Sequence, residues 1–211
     1  MNKREGSPLL LIATYNDGKV KDLQELLEGT GIELIMPAQI DLNLDVVEDG
    51  HTYAENATKK AVAFARASGL ISLADDSGLE VDALGGAPGL YSARYGASEG
   101  EKLSDAERCA VLIRNLQGKP RPWTARFYAV IAIALPDGET HLAEGFCDGE
   151  IIPEERGTGG FGYDPIFLMP ELGKTMAELT MEEKNRLSHR ARAVMNAKGI
   201  LETLFSKPPT S

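Results

Sequence analysis

Apolar runs and helical repeats of apolar residues alternate over the first part of the chain. The run from Leu9 to Ala13 predicts a buried strand, because it is short, uninterrupted and followed by polar residues. Val20, Leu23 and Leu27 then recur at the spacing of one helix face, and Asn16 or Asp17 is expected to cap that helix. Ile32 to Met36 predicts a second strand. The order strand, helix, strand is typical of an α/β protein.

A stripe of alanines predicts a helix that packs closely on its neighbour. Thr52 and Glu55 have the spacing of a capping box at its start. The alanines on one face are Ala54, Ala57, Ala61 and Ala65. Leu70 to Ala74 predicts the next strand, and we expect Asp75-Asp76-Ser77-Gly78 to end it abruptly.

The second half of the chain predicts a hairpin and a helical end. Ser104 and Glu107 form a second capping-box pattern before a helix that ends at Gly118. Two runs rich in β-forming residues flank Pro136-Asp137-Gly138 and predict an antiparallel hairpin (Trp123 to Leu135, Glu139 to Phe146). Thr180 to Phe205 is expected to be helical, and residues 206–211 are expected to form a flexible tail. The elements together predict an α/β fold with a mixed sheet.

Composition and charge narrow the classes of partner. With a net charge of -10 and a pI near 4.9, the chain lacks the basic surface that polymeric nucleic acid requires. A small anionic substrate remains compatible with local lysines and a divalent cation. Cys109 and Cys147 form no CxxC pair, and the histidines show no zinc-ligand spacing. The first apolar run is too short for a membrane span or a signal-peptide core, so we expect a cytoplasmic protein with no membrane partner.

Polar clusters near the predicted strands are candidate sites. Thr14 to Lys19 combines helix-start amides with a lysine, which suits a phosphate, although an ordinary helix cap has the same pattern. Asp75 and Asp76 suit Mg²⁺, which prefers oxygen ligands, or form an acidic turn. Glu48 and Asp49 supply a second metal ligand or simply favour the following helix start.

Two further clusters occur late in the chain. Gly157 to Pro165 is a glycine-rich loop in which Phe161 or Tyr163 suits stacking on a base. The basic segment Lys184 to Arg192 suits a triphosphate or forms a solvated helix face. On one continuous helix Lys184 and His189 would lie about 140° apart, and they converge more easily if Ser188 caps a new helix.

Four motifs in one order give the chain a family resemblance. They are Asp75-Asp76-Ser77-Gly78-Leu79, Gly85 to Gly89 with Tyr91-Ser92-Ala93-Arg94, Gly157 to Pro165, and Ser188-His189-Arg190. The chain resembles the inosine triphosphate pyrophosphatase family from Leu10 to about Leu204. This resemblance implies an elongated mixed β-sheet with flanking helices, in which residues 1–211 form one domain of two lobes around a central active-site cleft. It also implies Mg²⁺ as cofactor and a homodimer.

The resemblance further implies roles for individual residues. Thr14, Asn16 and Lys19 are expected to hold the triphosphate. Glu48 and Asp76 are expected to bind Mg²⁺, with Asp76 also the general base. The other expected substrate contacts are Lys60, Ser77, Phe161, Gly162, Tyr163, Asp164, Lys184, His189 and Arg190.

The implied reaction is hydrolysis of inosine and xanthosine triphosphates between the α- and β-phosphates, which removes deaminated purines from the nucleotide pool. Tyr15 is the visible departure, since the family often has glycine there; its side chain either narrows the phosphate pocket or points away.

One alternative is a related house-cleaning pyrophosphatase for modified pyrimidine nucleotides, against which the Ser-His-Arg and Phe-Gly-Tyr-Asp segments argue. Another is a nucleotide-binding sensor without turnover, which would not need the paired aspartates.

Overall fold

The computed structural model describes residues 7–98 and 100–206. Its helices are α1 Asp17–Leu26, α2 Tyr53–Ser68, α3 Asp105–Leu116, α4 Met181–Leu187 and α5 His189–Ser206. Its strands are β1 Leu9–Ile12, β2 Glu33–Ile35, β3 Ile71–Val81, β4 Trp123–Ala134, β5 Thr140–Ile151, β6 Phe167–Met169 and β7 Lys174–Thr175. Of the predicted tail, residues 207–211 lie outside the described residues, whereas Ser206 is the last residue of α5.

The seven strands form one mixed sheet in the order β2-β1-β3-β4-β5-β6-β7. The strands β2 and β3 both pair with β1 in parallel, with Leu10 opposite Leu34 on one side and Ile71 on the other. The strands β5, β6 and β7 pair antiparallel. The predicted α/β fold with a mixed sheet is therefore confirmed.

The described chain groups into two compact units. Unit 1 comprises Met1–Asp76, Val130–Gly145 and Arg192–Ser211, and unit 2 comprises Ser77–Ala129 and Phe146–Ala191. The strands β3, β4 and β5 and the helix α5 therefore each contribute residues to both units. The predicted organisation as one domain with two lobes stays a prediction.

Unit 1 is built on the apolar residues of β1 and α2. Leu10, Leu11 and Ile12 are fully buried in β1, as a short apolar strand between two neighbours requires. Three of the four predicted alanines of α2 are also fully buried (Ala57, Ala61 and Ala65). Their small side chains permit close packing, which fixes the position of the polar residues that α2 also carries.

The start of α2 differs in one detail from its predicted capping box. The Thr52 side chain accepts a hydrogen bond from the Glu55 amide, as predicted. The Glu55 carboxylate accepts from the His51 amide at 2.7 Å, one residue earlier than a capping box requires. The box predicted at Ser104 and Glu107 is confirmed in both directions.

Unit 2 has its own hydrophobic core. Trp123, Phe127 and Phe167 pack there with Leu112 and Leu116 of α3. At the hairpin turn between β4 and β5, the Leu135 amide donates to the Glu139 carbonyl and the Gly138 amide donates to the Leu135 carbonyl, both at 2.9 Å. Among the residues described, no helix is both long and apolar enough to cross a membrane.

Candidate active site

The strand β3 places two carboxylates among lysines in unit 1. The Lys19 ammonium lies 2.5 Å from a carboxylate oxygen of Asp75, which is 1% exposed. The Lys60 ammonium lies 2.8 Å from Glu48 Oε1 and 3.9 Å from Asp76 Oδ1. Both ammonium groups also donate to the Asp75 carbonyl, at 3.1 and 3.0 Å. Two lysines, three carboxylates and one carbonyl thus form a compact group, here called the lysine–carboxylate group.

The predicted abrupt end of β3 at Asp75 is wrong. The strand continues through Asp75, Asp76 and Ser77 to Val81, and both aspartates are buried within it. Buried carboxylates are tolerated only where opposite charges and hydrogen bonds compensate the loss of hydration. Lys19 and Lys60 supply that compensation from two helices. Aspartate therefore interrupts the apolar pattern of the strand without ending the strand.

The surroundings of Asp76 increase the affinity of its carboxylate for a proton. Burial raises its pKa above the ordinary aspartate value, and the nearby Glu48 charge raises it further. The charges of Lys60 and Lys19 and a hydrogen bond from Asn56 lower the pKa, without cancelling the effect of burial. A carboxylate with a raised pKa is a stronger base than an exposed one, which suits the predicted role.

The pair of Glu48 and Asp76 suits a divalent cation that keeps several other oxygen ligands. The Lys60 ammonium already sits beside both carboxylates, at the kind of position where a cation is favourable. Within residues 7–98 and 100–206, no group of three or more His, Cys, Asp or Glu side chains could hold a metal ion. Mg²⁺ fits such a two-carboxylate site when water and phosphate oxygens complete its coordination.

The loop before α1 has the geometry of a helix cap with an adjoining cavity. Asn16 Oδ1 accepts from the Lys19 amide at 3.0 Å, and Thr14 Oγ1 accepts from the Asn16 amide at 3.2 Å. Thr14, Tyr15, Glu48 and Lys60 line a cavity of about 300 Å³ in unit 1. Of the predicted triphosphate residues, Thr14 lines this cavity together with Glu48 and Lys60, whereas Asn16 and Lys19 are not among its lining residues. Tyr15 also lines the cavity, and its side chain contacts two other lining residues, because its hydroxyl accepts from the Leu44 amide and its ring packs against Phe64. The side chain therefore does not point away.

The glycine-rich loop of unit 2 is organised around Asp164. Its buried carboxylate accepts from the Phe161 amide at 3.1 Å and from the Lys184 ammonium at 3.0 Å. Gly160 has a φ of +73°, and a Cβ there would lie 1.9 Å from Asp164 Oδ2. The loop thus requires glycine at this position. Asp164 acts inside the protein as an anchor of the loop.

Phe161 and Tyr163, the two aromatic candidates of this loop, have different surroundings. The Lys184 ammonium and the Arg190 guanidinium lie 5.4 and 5.5 Å from the centroid of the Phe161 ring. Tyr163 lies in the hydrophobic core of unit 2, and its hydroxyl donates to the Ser92 carbonyl at 2.9 Å. Phe161 is therefore the better candidate for stacking on a base. Gly162 donates its amide to Asp105 Oδ2 at 2.6 Å, which fixes the loop between them.

The basic segment changes direction at Ser188. The helix α4 ends at Leu187, and Ser188 Oγ accepts from the Ala191 amide at the start of α5. Of the two alternatives, one continuous helix is therefore excluded, and Ser188 as the cap of a new helix is confirmed. The break allows Lys184 at the end of one helix and Arg190 at the start of the next to approach the same Phe161 ring.

Buried polar contacts fix the first residues of α5. Arg190 is 2% exposed and donates to Ser77 Oγ at 3.1 Å. The His189 ring stacks on Phe127, with ring centroids 4.7 Å apart and planes 14° apart. Ser77, Phe161, Lys184 and Arg190 therefore form a connected group within unit 2, here called the arginine–phenylalanine group.

Sequence reasoning missed Asn56, which is buried at 2% exposure. It accepts from the Gly50 amide at 2.8 Å and donates a hydrogen bond to Asp76. The signal was present, because Asn56 precedes Lys60 by four residues and so shares its face of α2. Asp49, in contrast, forms an ion pair with the half-exposed Lys59, whereas Glu48 pairs with Lys60.

The protein has an α/β fold with one mixed sheet. Its unit 1 carries a buried aspartate beside lysines, a second carboxylate and a cavity. Such a site suits phosphate groups and a divalent cation. A model of the Ham1 family matches residues 10–200 of the chain. The chain belongs to the Ham1 family.

Two named relatives and one solved structure support the assignment to the Ham1 family. The dITP/XTP pyrophosphatase of Desulforamulus reducens is 51% identical over 197 residues, which cover 93% of this chain and 96% of that protein. The dITP/XTP pyrophosphatase of Bacillus subtilis is 44% identical over 192 residues, covering 91% of this chain and 96% of that one. The structure of a HAM1 protein from Coxiella burnetii matches with a TM-score of 0.82 and 37% identity, covering 93% of this chain and 99% of that one.

Proposed function

We propose that the chain hydrolyses inosine, deoxyinosine and xanthosine triphosphates to the monophosphate and pyrophosphate, and so removes deaminated purines from the nucleotide pool. The observation that carries the proposal is Asp76, a buried carboxylate of raised pKa beside Glu48 and Lys60. A protein that only binds nucleotides has no use for a base held in this way. The relatives named dITP/XTP pyrophosphatases support the same reaction class.

The residues of unit 1 would handle the triphosphate. Asp76 would accept a proton from the water that attacks the α-phosphorus, while the bond from that phosphorus to the bridging oxygen breaks. The pyrophosphate that leaves carries additional negative charge, which the ammonium groups of Lys19 and Lys60 would stabilise. Bound Mg²⁺, held by Glu48 and Asp76, would neutralise charge on the phosphate oxygens.

The residues of unit 2 would select the base. Phe161 offers a ring for stacking, and Arg190, with its guanidinium 5.5 Å from that ring, offers hydrogen-bond donors. Inosine and xanthosine carry an acceptor oxygen at position 6, whereas adenosine carries an amino donor there. A donor facing another donor leaves a buried hydrogen bond unmade, which costs about 1–3 kcal/mol. Two such contacts would favour the deaminated bases strongly.

The proposal extends to the setting of the reaction. We propose a homodimer in the cytoplasm, made of single α/β domains with two lobes each, that acts on free nucleotides. The net charge of -10 opposes binding to polymeric nucleic acid.

Incubation with Mg²⁺ and one nucleotide at a time tests the proposal. We expect inosine and xanthosine triphosphates to release pyrophosphate, with much slower release from adenosine triphosphate. Orthophosphate as product, or equal attack on inosine and adenosine triphosphates, would refute the reaction or its selectivity. Preference for modified pyrimidine triphosphates would favour the related house-cleaning enzymes. Tight binding without hydrolysis would favour the sensor.

A further inference from the structure

The segment that carries Glu48 has no regular secondary structure. Residues 42–50, here called the Glu48 loop, form neither helix nor strand. At one end the Leu42 amide donates to the Pro37 carbonyl at 3.0 Å. At the other end the Gly50 amide donates to Asn56 at 2.8 Å, and Gly50 passes so close that a Cβ would lie 2.6 Å from Asn56 Oδ1. Both ends of the loop are thus fixed.

Tyr15 connects to the Glu48 loop between these ends. Its hydroxyl donates to the Leu42 carbonyl at 3.3 Å and accepts from the Leu44 amide at 2.9 Å. One hydroxyl therefore satisfies a donor and an acceptor of the loop backbone at once. Leu44 is four residues before Glu48, so this contact restricts the part of the loop that leads to the carboxylate.

Tyr15 is itself held firmly. It lies between Thr14, whose amide donates to the Ile12 carbonyl, and Asn16, whose side chain caps α1. Its ring packs against Phe64 of α2, with centroids 6.0 Å apart. Because its backbone and its ring are both held, the Tyr15 hydroxyl has a defined position. The hydroxyl in turn restricts the Leu42 carbonyl and the Leu44 amide, to which it is hydrogen-bonded.

We infer that Tyr15 is a positioning residue, which holds the Glu48 loop so that the Glu48 carboxylate faces the cavity of the candidate active site; this role rests on the proposed function. Glycine at this position would leave the Leu42 carbonyl and Leu44 amide without this partner. The tyrosine also forms part of the cavity wall.

The substitution Tyr15→Phe tests the inference, because it removes the hydroxyl and keeps the ring against Phe64. Tyr91→Phe is the matched control, since Tyr91 is similarly exposed and lies outside both site groups. The first measurement is amide hydrogen exchange of metal-free protein. We expect the Leu44 amide to exchange about fivefold faster in Tyr15→Phe, the factor for one ordinary hydrogen bond. Unchanged exchange at Leu44 would overturn the inference.

The second measurement is the affinity for Mg²⁺ alone, by calorimetric titration without nucleotide. We expect Tyr15→Phe to weaken Mg²⁺ binding about tenfold, as when an outer partner of a metal ligand is lost. In turnover assays the Mg²⁺ concentration for half-maximal rate should rise, with a smaller change in the rate at saturating Mg²⁺. The control variant should match the wild type throughout.

The outcomes separate the inference from the proposed function. Faster exchange of the Leu44 amide with unchanged Mg²⁺ affinity would show that the hydrogen bond from this amide to Tyr15 does not position Glu48, and would overturn the inference. If the wild type hydrolyses no triphosphate but Tyr15→Phe changes both exchange and Mg²⁺ affinity as expected, the proposed function fails and the role of Tyr15 stands.

Discussion

Two glycines in the loop of unit 2 allow a closely matched test of how Asp164 organises that loop. Gly160 and Gly162 have φ values of +73° and +63°, so alanine at either position adopts an unfavourable left-handed backbone. A Cβ at Gly162 meets nothing within 4 Å. A Cβ at Gly160 would lie 1.9 Å from Asp164 Oδ2 and 3.1 Å from the Lys184 ammonium. The two alanine variants therefore differ mainly in this clash.

The expected difference follows from the contacts that the clash removes. The left-handed backbone costs about 1–2 kcal/mol for alanine, and both variants lose this amount. In Gly160→Ala the Asp164 carboxylate must move away from the Phe161 amide and the Lys184 ammonium. Breaking a buried ion pair costs about 3–5 kcal/mol. We expect Gly160→Ala to lower the free energy of unfolding by about 3 kcal/mol or more beyond the loss in Gly162→Ala.

Urea unfolding followed by tryptophan fluorescence measures this difference. Trp123 is the single tryptophan of the chain and lies in the core of unit 2, the unit that contains the loop. In an Asp164→Ala background the clashing oxygen is absent, so the two glycine substitutions should cost nearly the same. Equal losses in the wild-type background, or a large difference that persists in Asp164→Ala, would refute the reasoning.

Three further substitutions have defined outcomes. Asp76→Asn should slow hydrolysis about 10²–10⁴-fold. It should also raise the melting temperature of metal-free protein, because the raised pKa of Asp76 means that its charged carboxylate opposes folding at neutral pH. A lower melting temperature would contradict this. Contacts with Lys174 and Thr180 lower the pKa of Glu183 from 4.5 to about 2. Its stabilising effect is therefore complete above pH 4.5 and lost as the pH falls towards 2, so the stability difference from Glu183→Gln should shrink over that interval in acid titrations. Arg190→Lys should lower kcat/KM for inosine triphosphate about tenfold or more, because lysine lacks the planar group that contacts Ser77; an unchanged value would remove Arg190 from the site.

The sequence by itself determined the elements whose causes are local. The apolar run at Leu9 and the cap at Asn16 needed only neighbouring residues, and the structure places β1 and α1 there. The alanine stripe of α2 likewise follows from a repeat within one helix. The residue types of the site were also visible, since the family motifs contain Asp76, Phe161 and Arg190.

The tertiary structure decided which of these polar residues are buried and what each one contacts. Asp75 and Asp76 continue a strand because Lys19 and Lys60 arrive from other elements, and no local pattern contains those partners. The two aromatic residues of the glycine-rich loop also differ because of distant partners. The Tyr163 ring packs in a core formed by distant segments, whereas the Phe161 ring lies beside two cations. Burial and charge compensation depend on residues far apart in the chain. The sequence therefore identified the chemistry, and only the folded chain determined its arrangement.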